Sequence, residues 1–181
     1  MPEKQLEGFK NWVKASKVYA EFGCGGSTLY ASDHCQKVFS VESDKQWIEK
    51  ISNELTNENV EFIFIDIETK QEHWGHPGDN CSPEKQIKYS SALNDLIEKN
   101  KIDTVLIDGR YRTACALKIH SHIDENTVIL FDDFVPRKDR HDVILNYYNI
   151  IDTIDTMVVL KKKVNTTVEF DLIKKYELIS Q

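Results

Sequence analysis

Residues 18–32 read VYAEFGCGGSTLYAS: a strand-like run, a glycine turn and the start of a helix. Gly23 and Gly25 permit positive φ and close approach of a ligand to the backbone, and the helix that follows offers N–H groups to an anion or a carboxylate. A dinucleotide fingerprint, GxGxxG, would need a third glycine where Thr28 stands, and no GK[ST] follows to make a P-loop. Glu21, two residues before the first glycine, would repel a pyrophosphate and suits a cationic ligand better. Further acidic residues recur downstream. Glu42, 19 residues beyond Gly23, is placed to accept from both hydroxyls of a ribose, and Asp66 to accept from the exocyclic amine of a purine, with Ile67 beside it. Ser27, Thr28 and Ser43 complete this binding set, with Asp108 further on. Together these groups describe an adenosine that carries a positively charged amino-acid tail, and S-adenosylmethionine is such a molecule.

Such residues need strands to end beside one another. Short β-branched or aromatic runs at 17–21, 37–42, 60–66, 102–108 and 127–132 alternate with helical patterns, the signature of a βαβ series and a parallel sheet. Each of the five runs ends on an acidic residue, and in open α/β sheets ligands bind outside the carboxyl ends of the strands. Leu6, Phe9 and Val13 predict a helix before the first strand, and Trp47, Ile48, Ile51 and Leu55 another after the second, with Ser43 or Asp44 as its N-cap. Tyr89, Leu93, Leu96 and Ile97 mark one more, followed by helices at 114–120 and 143–148. The runs 148–154 and 157–163 are too close for a helical crossover and should pair antiparallel; 166–178 closes the chain as a helix. The stretch 67–83, with His73, Trp74 and His76, has no clear element and reads as a ligand-contacting lid.

The 181 residues suit one domain, since about 100–200 residues is usual for one. A net charge of −7 has the wrong sign for neutralising a nucleic-acid backbone, so no nucleic-acid partner is expected. No apolar run approaches the roughly 18 residues that span a bilayer, and the four cysteines lack CxxC spacing. A soluble protein of the reducing cytoplasm is the expectation. Nineteen Lys accompany only four Arg, at Arg110, Arg112, Arg137 and Arg140, all following the fourth and fifth strands. That placement suits bidentate recognition of carboxylates, phosphates or vicinal sugar hydroxyls, or else salt bridges to the acidic row. Trp74, Tyr111 and Phe134 could stack on a sugar ring, with Arg112 and Arg137 as further substrate contacts.

E-F-G-C-G-G-S at 21–27 resembles motif I of class I S-adenosylmethionine-dependent methyltransferases, and F-S-V-E-S at 39–43 resembles their acidic second-strand motif. The resemblance covers nearly the whole chain. It implies a single α/β domain over 1–181, a Rossmann-like methyltransferase fold whose seven-stranded, mostly parallel sheet has the order 3-2-1-4-5-7-6 and is flanked by helices. W-G-H-P at 74–77, L-I-D-G-R-Y-R at 106–112 and F-D-D-F at 131–134 resemble a group of small methyltransferases. Similar domains occur beside glycosyltransferases, including multidomain glycan-building proteins of algal viruses, which implies a glycan acceptor and a glycosyltransferase-linked setting. Asp108-Gly109-Arg110 carries no proline pair, so it differs from the [DNS]PP[YF] of base methyltransferases. It is similar instead to the D-G-D of macrocin-type sugar O-methyltransferases, whose D-D-Y is matched by Asp132-Asp133-Phe134. That likeness implies that Asp108, Asp132 and Asp133 hold Mg²⁺ with waters. Arg110 stands where the second acidic residue would be, and a guanidinium cannot take a proton. Arg110 is then expected to neutralise Asp108 or Asp133 in place of the metal, leaving Asp133 or a loop histidine, His73 or His76, as the base. The resulting expectation is O-methylation of a sugar or glycan. Methylation of a phenol or carboxylate, or a cofactor-binding partner module without catalysis, are the alternatives.

Overall fold

The structure, a computed structural model, describes residues 1–69 and 75–180. Strands β1 (Val18–Phe22), β2 (Lys37–Glu42), β3 (Val60–Phe64), β4 (Thr104–Ile107), β5 (Val128–Phe131), β6 (Tyr148–Ile154) and β7 (Met157–Lys162) form one sheet of order β3-β2-β1-β4-β5-β7-β6. The first five are parallel, and β7 runs antiparallel between β5 and β6. The order reverses beside β1, so the ends of β1, β2, β4 and β5 face one crevice, the place where such sheets bind ligands.

Alternation along the central strands feeds two cores. Ala20, Phe22, Val105, Ile107, Ile129 and Phe131 point to one face; Tyr19, Leu106 and Leu130 point to the other. Helices α1 (Glu3–Lys14), α2 (Gly26–His34) and α3 (Lys45–Glu54) contact one another in series, and α1 and α2 bring Phe9, Val13 and Ala31 to the second core. Helices α4 (Pro83–Ser90), α5 (Asn94–Asn100), α6 (Arg112–Ile119) and α8 (Phe170–Tyr176) gather on the first, where α6 is buried throughout. Between β5 and β6 run two short 3-10 turns, Val135–Arg137 and Asp142–Asn146, with the one-turn α7 (Lys138–His141) between them.

Four sequence expectations change or narrow in detail. In α1 the buried face is Gln5, Phe9 and Val13, not Leu6, because the Gln5 amide has two buried-end partners: it donates to Asp132 and accepts from Thr156 Oγ1 at 2.7 Å. The periodic run around Tyr89–Ile97 splits at 91–93 into α4 and α5. The expected helix at 143–148 is a 3-10 turn that feeds straight into β6. Asp44, not Ser43, caps α3 by accepting from the N–H groups of Gln46 and Trp47 at 2.9 and 3.1 Å.

Lys118 on α6 is buried without loss of its charge partner. Its ammonium donates to Ile87 O, Ser90 Oγ and Ser91 Oγ, and meets Glu177 at 2.7 Å. One cation thereby ties α4 and α6 to the segment just after α8. Among the described residues no helix is long and apolar enough to cross a membrane.

Candidate functional site

A cavity of about 1210 Å³ opens at the crevice. Its floor is the glycine turn after β1 and the loop after β4, which touch. Gly23 has φ +95°, and a Cβ there would lie 3.2 Å from both Cα and N of Gly109; a Cβ on Gly109 would collide with Tyr89 Oη and Phe22. Both glycines are therefore required by close backbone approach. Gly25 and Gly26 differ: a Cβ there would meet nothing within 4 Å, because they face the open cavity.

Beneath the turn lies Glu21, fully enclosed and removed from the cavity. Its carboxylate accepts from Tyr19 Oη at 2.9 Å, Ser27 Oγ at 2.7 Å, Ser40 Oγ at 2.7 Å and Thr28 Oγ1. Burial pushes its pKa up, and the four hydroxyls pull it back. The sequence suggested Glu21 and Thr28 as direct ligand contacts. The structure makes them the underside of the turn instead, with Thr28 Oγ1 accepting from the Gly25 N–H at 2.9 Å.

Glu42, at the end of β2, does line the cavity. Its Oε1 accepts from Ser43 N, Ser43 Oγ and Asp44 N, and Oε2 accepts from Cys24 N at 3.0 Å. Oε2 thus keeps capacity for a further donor. Ser27 and Ser43 also reach the cavity, beside Trp47. The Trp47 indole N–H donates to Cys24 O at 2.8 Å, fixing the ring against the glycine turn. Sequence periodicity assigned Trp47 to a helix face; its position in the first turn after Glu42 was the available signal for a site role. Asp66 and Ile67 do not line this cavity. Ile67 is fully buried in the core, while Asp66 is exposed, pairs with Lys85 at 3.2 Å and borders a smaller cleft of about 230 Å³ that shares Ser43 and Asp44.

Across the crevice, the loops after β4 and β5 are held by Arg112, which is 3% exposed. Its guanidinium donates to the carbonyls of Gly109 at 3.0 Å, Asp132 at 2.7 Å and Asp108 at 3.3 Å, and pairs with the carboxylates of Asp108 at 3.0 Å and Asp133 at 3.3 Å. The neutralising role expected of Arg110 thus falls to Arg112. Tyr111 and Asp133 both adopt positive φ, +54° and +55°, at the turns that aim these side chains. For a residue as bulky as Tyr that is a costly conformation, of the kind kept where a loop is over-determined by its surroundings.

The three aspartates do not share one open point. Asp132 accepts from Gln5 and lies against the Asp108 carboxyl, and Arg112 bridges Asp108 to Asp133. Among the described residues no three His, Cys, Asp or Glu side chains are grouped to hold a metal ion. Asp108 lines the cavity with its pKa pushed up to about 7, chiefly by burial and then by the neighbouring Asp132 charge, while Arg112 pulls it down. His76 reaches the cavity, but its Nε2 lies 3.1 Å from Arg110 Nη1, and a guanidinium can only donate. That lone pair is engaged, which weighs against His76 as the proton acceptor. Tyr111 and Phe134, expected to stack on a substrate, are core residues: Tyr111 donates to Gln86 Oε1 at 3.1 Å, and Phe134 packs edge-on to Phe131. His73 and Trp74 lie outside the described residues. Arg110, Arg112, Arg137 and Arg140 all line the cavity, as does Asp133.

Neither a family model nor a curated protein matches the chain. Solved structures do. A methyltransferase-like protein from Silicibacter pomeroyi DSS-3 superposes with a TM-score of 0.84 at 25% identity, covering 100% of this chain and 96% of that one. The tRNA methyltransferase TrmI from Aquifex aeolicus gives a TM-score of 0.57 at 15% identity, over 91% of this chain and 70% of that one. The N-methyltransferase NodS from Bradyrhizobium japonicum WM9, in complex with S-adenosylhomocysteine, gives 0.55 at 9% identity, over 88% and 86%. The chain has the Rossmann-like methyltransferase fold.

Proposed function

We propose that this chain is an S-adenosylmethionine-dependent O-methyltransferase whose acceptor is a hydroxyl of a sugar or glycan. The observation that carries the reading is the joint lining of one cavity by an open glycine cradle, Glu42 and Asp108. A volume of about 1210 Å³ exceeds the roughly 300–1,000 Å³ of ordinary ligand pockets, so donor and acceptor fit together. The described residues suit the donor: Glu42 Oε2 retains acceptor capacity for a ribose hydroxyl, and Gly25 and Gly26 leave room where any side chain would intrude. The small cleft beside Ser43, Asp44 and Asp66 suits the edge of a purine. The likeness to methyltransferase structures, one of them bound to S-adenosylhomocysteine, supports the same donor.

Bound there, the donor supplies an electrophilic methyl group on a sulfonium sulfur. The chain's own contribution is to orient the acceptor and receive its proton. Asp108 is the group we assign to take the proton that the acceptor hydroxyl gives up on methylation, since it is in the cavity and Arg112 fixes it. Arg112 holds Asp133 in the adjoining loop and so sets the spacing between the two carboxylates.

Calorimetric titration with S-adenosylhomocysteine tests the donor assignment, and failure to bind would sink it. A labelled-donor screen of glycosides, catechols and carboxylic acids tests the acceptor class; preferential labelling of catechols would overturn the sugar reading.

A further inference from the structure

The chain's two kinds of fixed cation are segregated. All four arginines line the cavity, whereas none of the described lysines does, although lysines outnumber arginines nineteen to four in the sequence. The arginines follow β4 and β5, two and three strands away from Glu42 on β2. At about 4.8 Å per strand that is roughly 10–15 Å, so the basic end is separate from Glu42. Charge there is not balanced. The carboxylates of Asp108 and Asp133 both pair with Arg112, and Asp133 also takes Arg137 at 3.2 Å. Arg140 is exposed, faces the cavity, and has no carboxylate within ion-pair distance among the described residues.

The surplus is positive in a protein of net charge −7, and neighbouring groups register it. Burial first, and then Arg112, Arg137 and Arg140, hold the buried His141 neutral, and burial followed by Arg112 and Arg137 lowers the pKa of Arg110. A guanidinium left unpaired at the mouth of a cavity, with another half-engaged beside it, is a fork for an oxyanion. Simple salt bridging to the acidic row would have paired Arg140.

We infer that the acceptor carries an anionic group, a carboxylate or a phosphate ester, which Arg137 and Arg140 hold at the β4–β5 end of the cavity while the hydroxyl to be methylated lies toward Asp108. This rests on the methyl-transfer reading of the same cavity and narrows its substrate class. Lys in place of Arg140 would keep the charge but lose the two parallel donors.

The test is calorimetry on the full chain saturated with S-adenosylhomocysteine, with three probes that share one ring: methyl β-D-glucuronide, glucose 1-phosphate and methyl β-D-glucoside. The expected result is that at least one anionic probe binds tenfold or more tighter than the neutral glucoside, that added salt weakens it, and that Arg140→Gln removes the preference while S-adenosylhomocysteine still binds. Which anionic probe wins separates carboxylate from phosphate. Equal binding of all three, binding of none, or an undiminished preference in Arg140→Gln overturns the inference. Should S-adenosylhomocysteine itself fail to bind, the donor reading falls, and the same titration on the free protein still decides the anion site.

Discussion

Arg112 Nη1 lies 3.3 Å from Asp133 Oδ2, and through that contact a single buried side chain joins the loops after β4 and β5. The same guanidinium is bonded to three backbone carbonyls and to Asp108. Breaking a buried charge pair by removing one partner costs about 3–5 kcal/mol. Arg112→Met is therefore expected to lower the unfolding free energy read from chemical denaturation by an amount in that range, and Arg112→Lys to recover only part of it, because an ammonium cannot reach all five acceptors. A full recovery in the Lys variant would mean that charge alone matters here.

The two glycines of the turn should respond differently. Gly23→Ala places a Cβ against Gly109 at positive φ and is expected to cost about 1–3 kcal/mol of stability. Gly25→Ala adds a methyl group to open space on extended backbone, so folding should be unchanged within about 1 kcal/mol. It should nonetheless weaken S-adenosylhomocysteine at least tenfold by filling the cradle. Thermal melts paired with calorimetry separate the two effects.

Glu42→Ala is expected to weaken S-adenosylhomocysteine by about 1–3 kcal/mol for the lost charged hydrogen-bond partner. Asp108→Asn should leave that affinity within a factor of about three and reduce turnover about 10²–10⁴-fold, the usual contribution of general-base catalysis. Turnover surviving in Asp108→Asn would transfer the proton-accepting role to Asp133.

Two buried histidines make stability depend on pH. His120 and His141 are each held down to about 4, by burial first and then by Lys162 for one and by Arg112, Arg137 and Arg140 for the other. An unfolded histidine titrates near 6.5. Between those values the unfolded chain binds more protons, so their contribution is complete above about pH 6.5 and is lost progressively as pH falls to about 4. Melting temperatures taken across that window should fall on acidification, and His120→Phe should flatten the slope. An unchanged slope would remove His120 from this account.

Lys118→Met should cost about 3 kcal/mol, since it strands Glu177 and the hydroxyls of Ser90 and Ser91. Adding Glu177→Gln to it should restore part of that loss in denaturant melts.

The sequence alone determined the architecture. Short β-branched or aromatic runs separated by helical periodicity mark the strands, and two strands too close for a crossover must pair antiparallel, so the β6–β7 hairpin was legible before any coordinates. It also determined the glycine turn and Glu42, because a strand end, a glycine and an acid at set spacing are local properties. What only the tertiary structure decided is which polar groups face inward under the loops and which face the cavity. Glu21 and Glu42 both sit at strand ends, yet four hydroxyls from three different elements enclose one, while the other keeps an oxygen toward the cavity. Asp108, Asp132 and Asp133 look alike in sequence. Arg112, reaching across two loops, pairs with Asp108 and Asp133, while Gln5, arriving from the first helix, donates to Asp132, and no spacing rule encodes contacts made between elements so far apart along the chain.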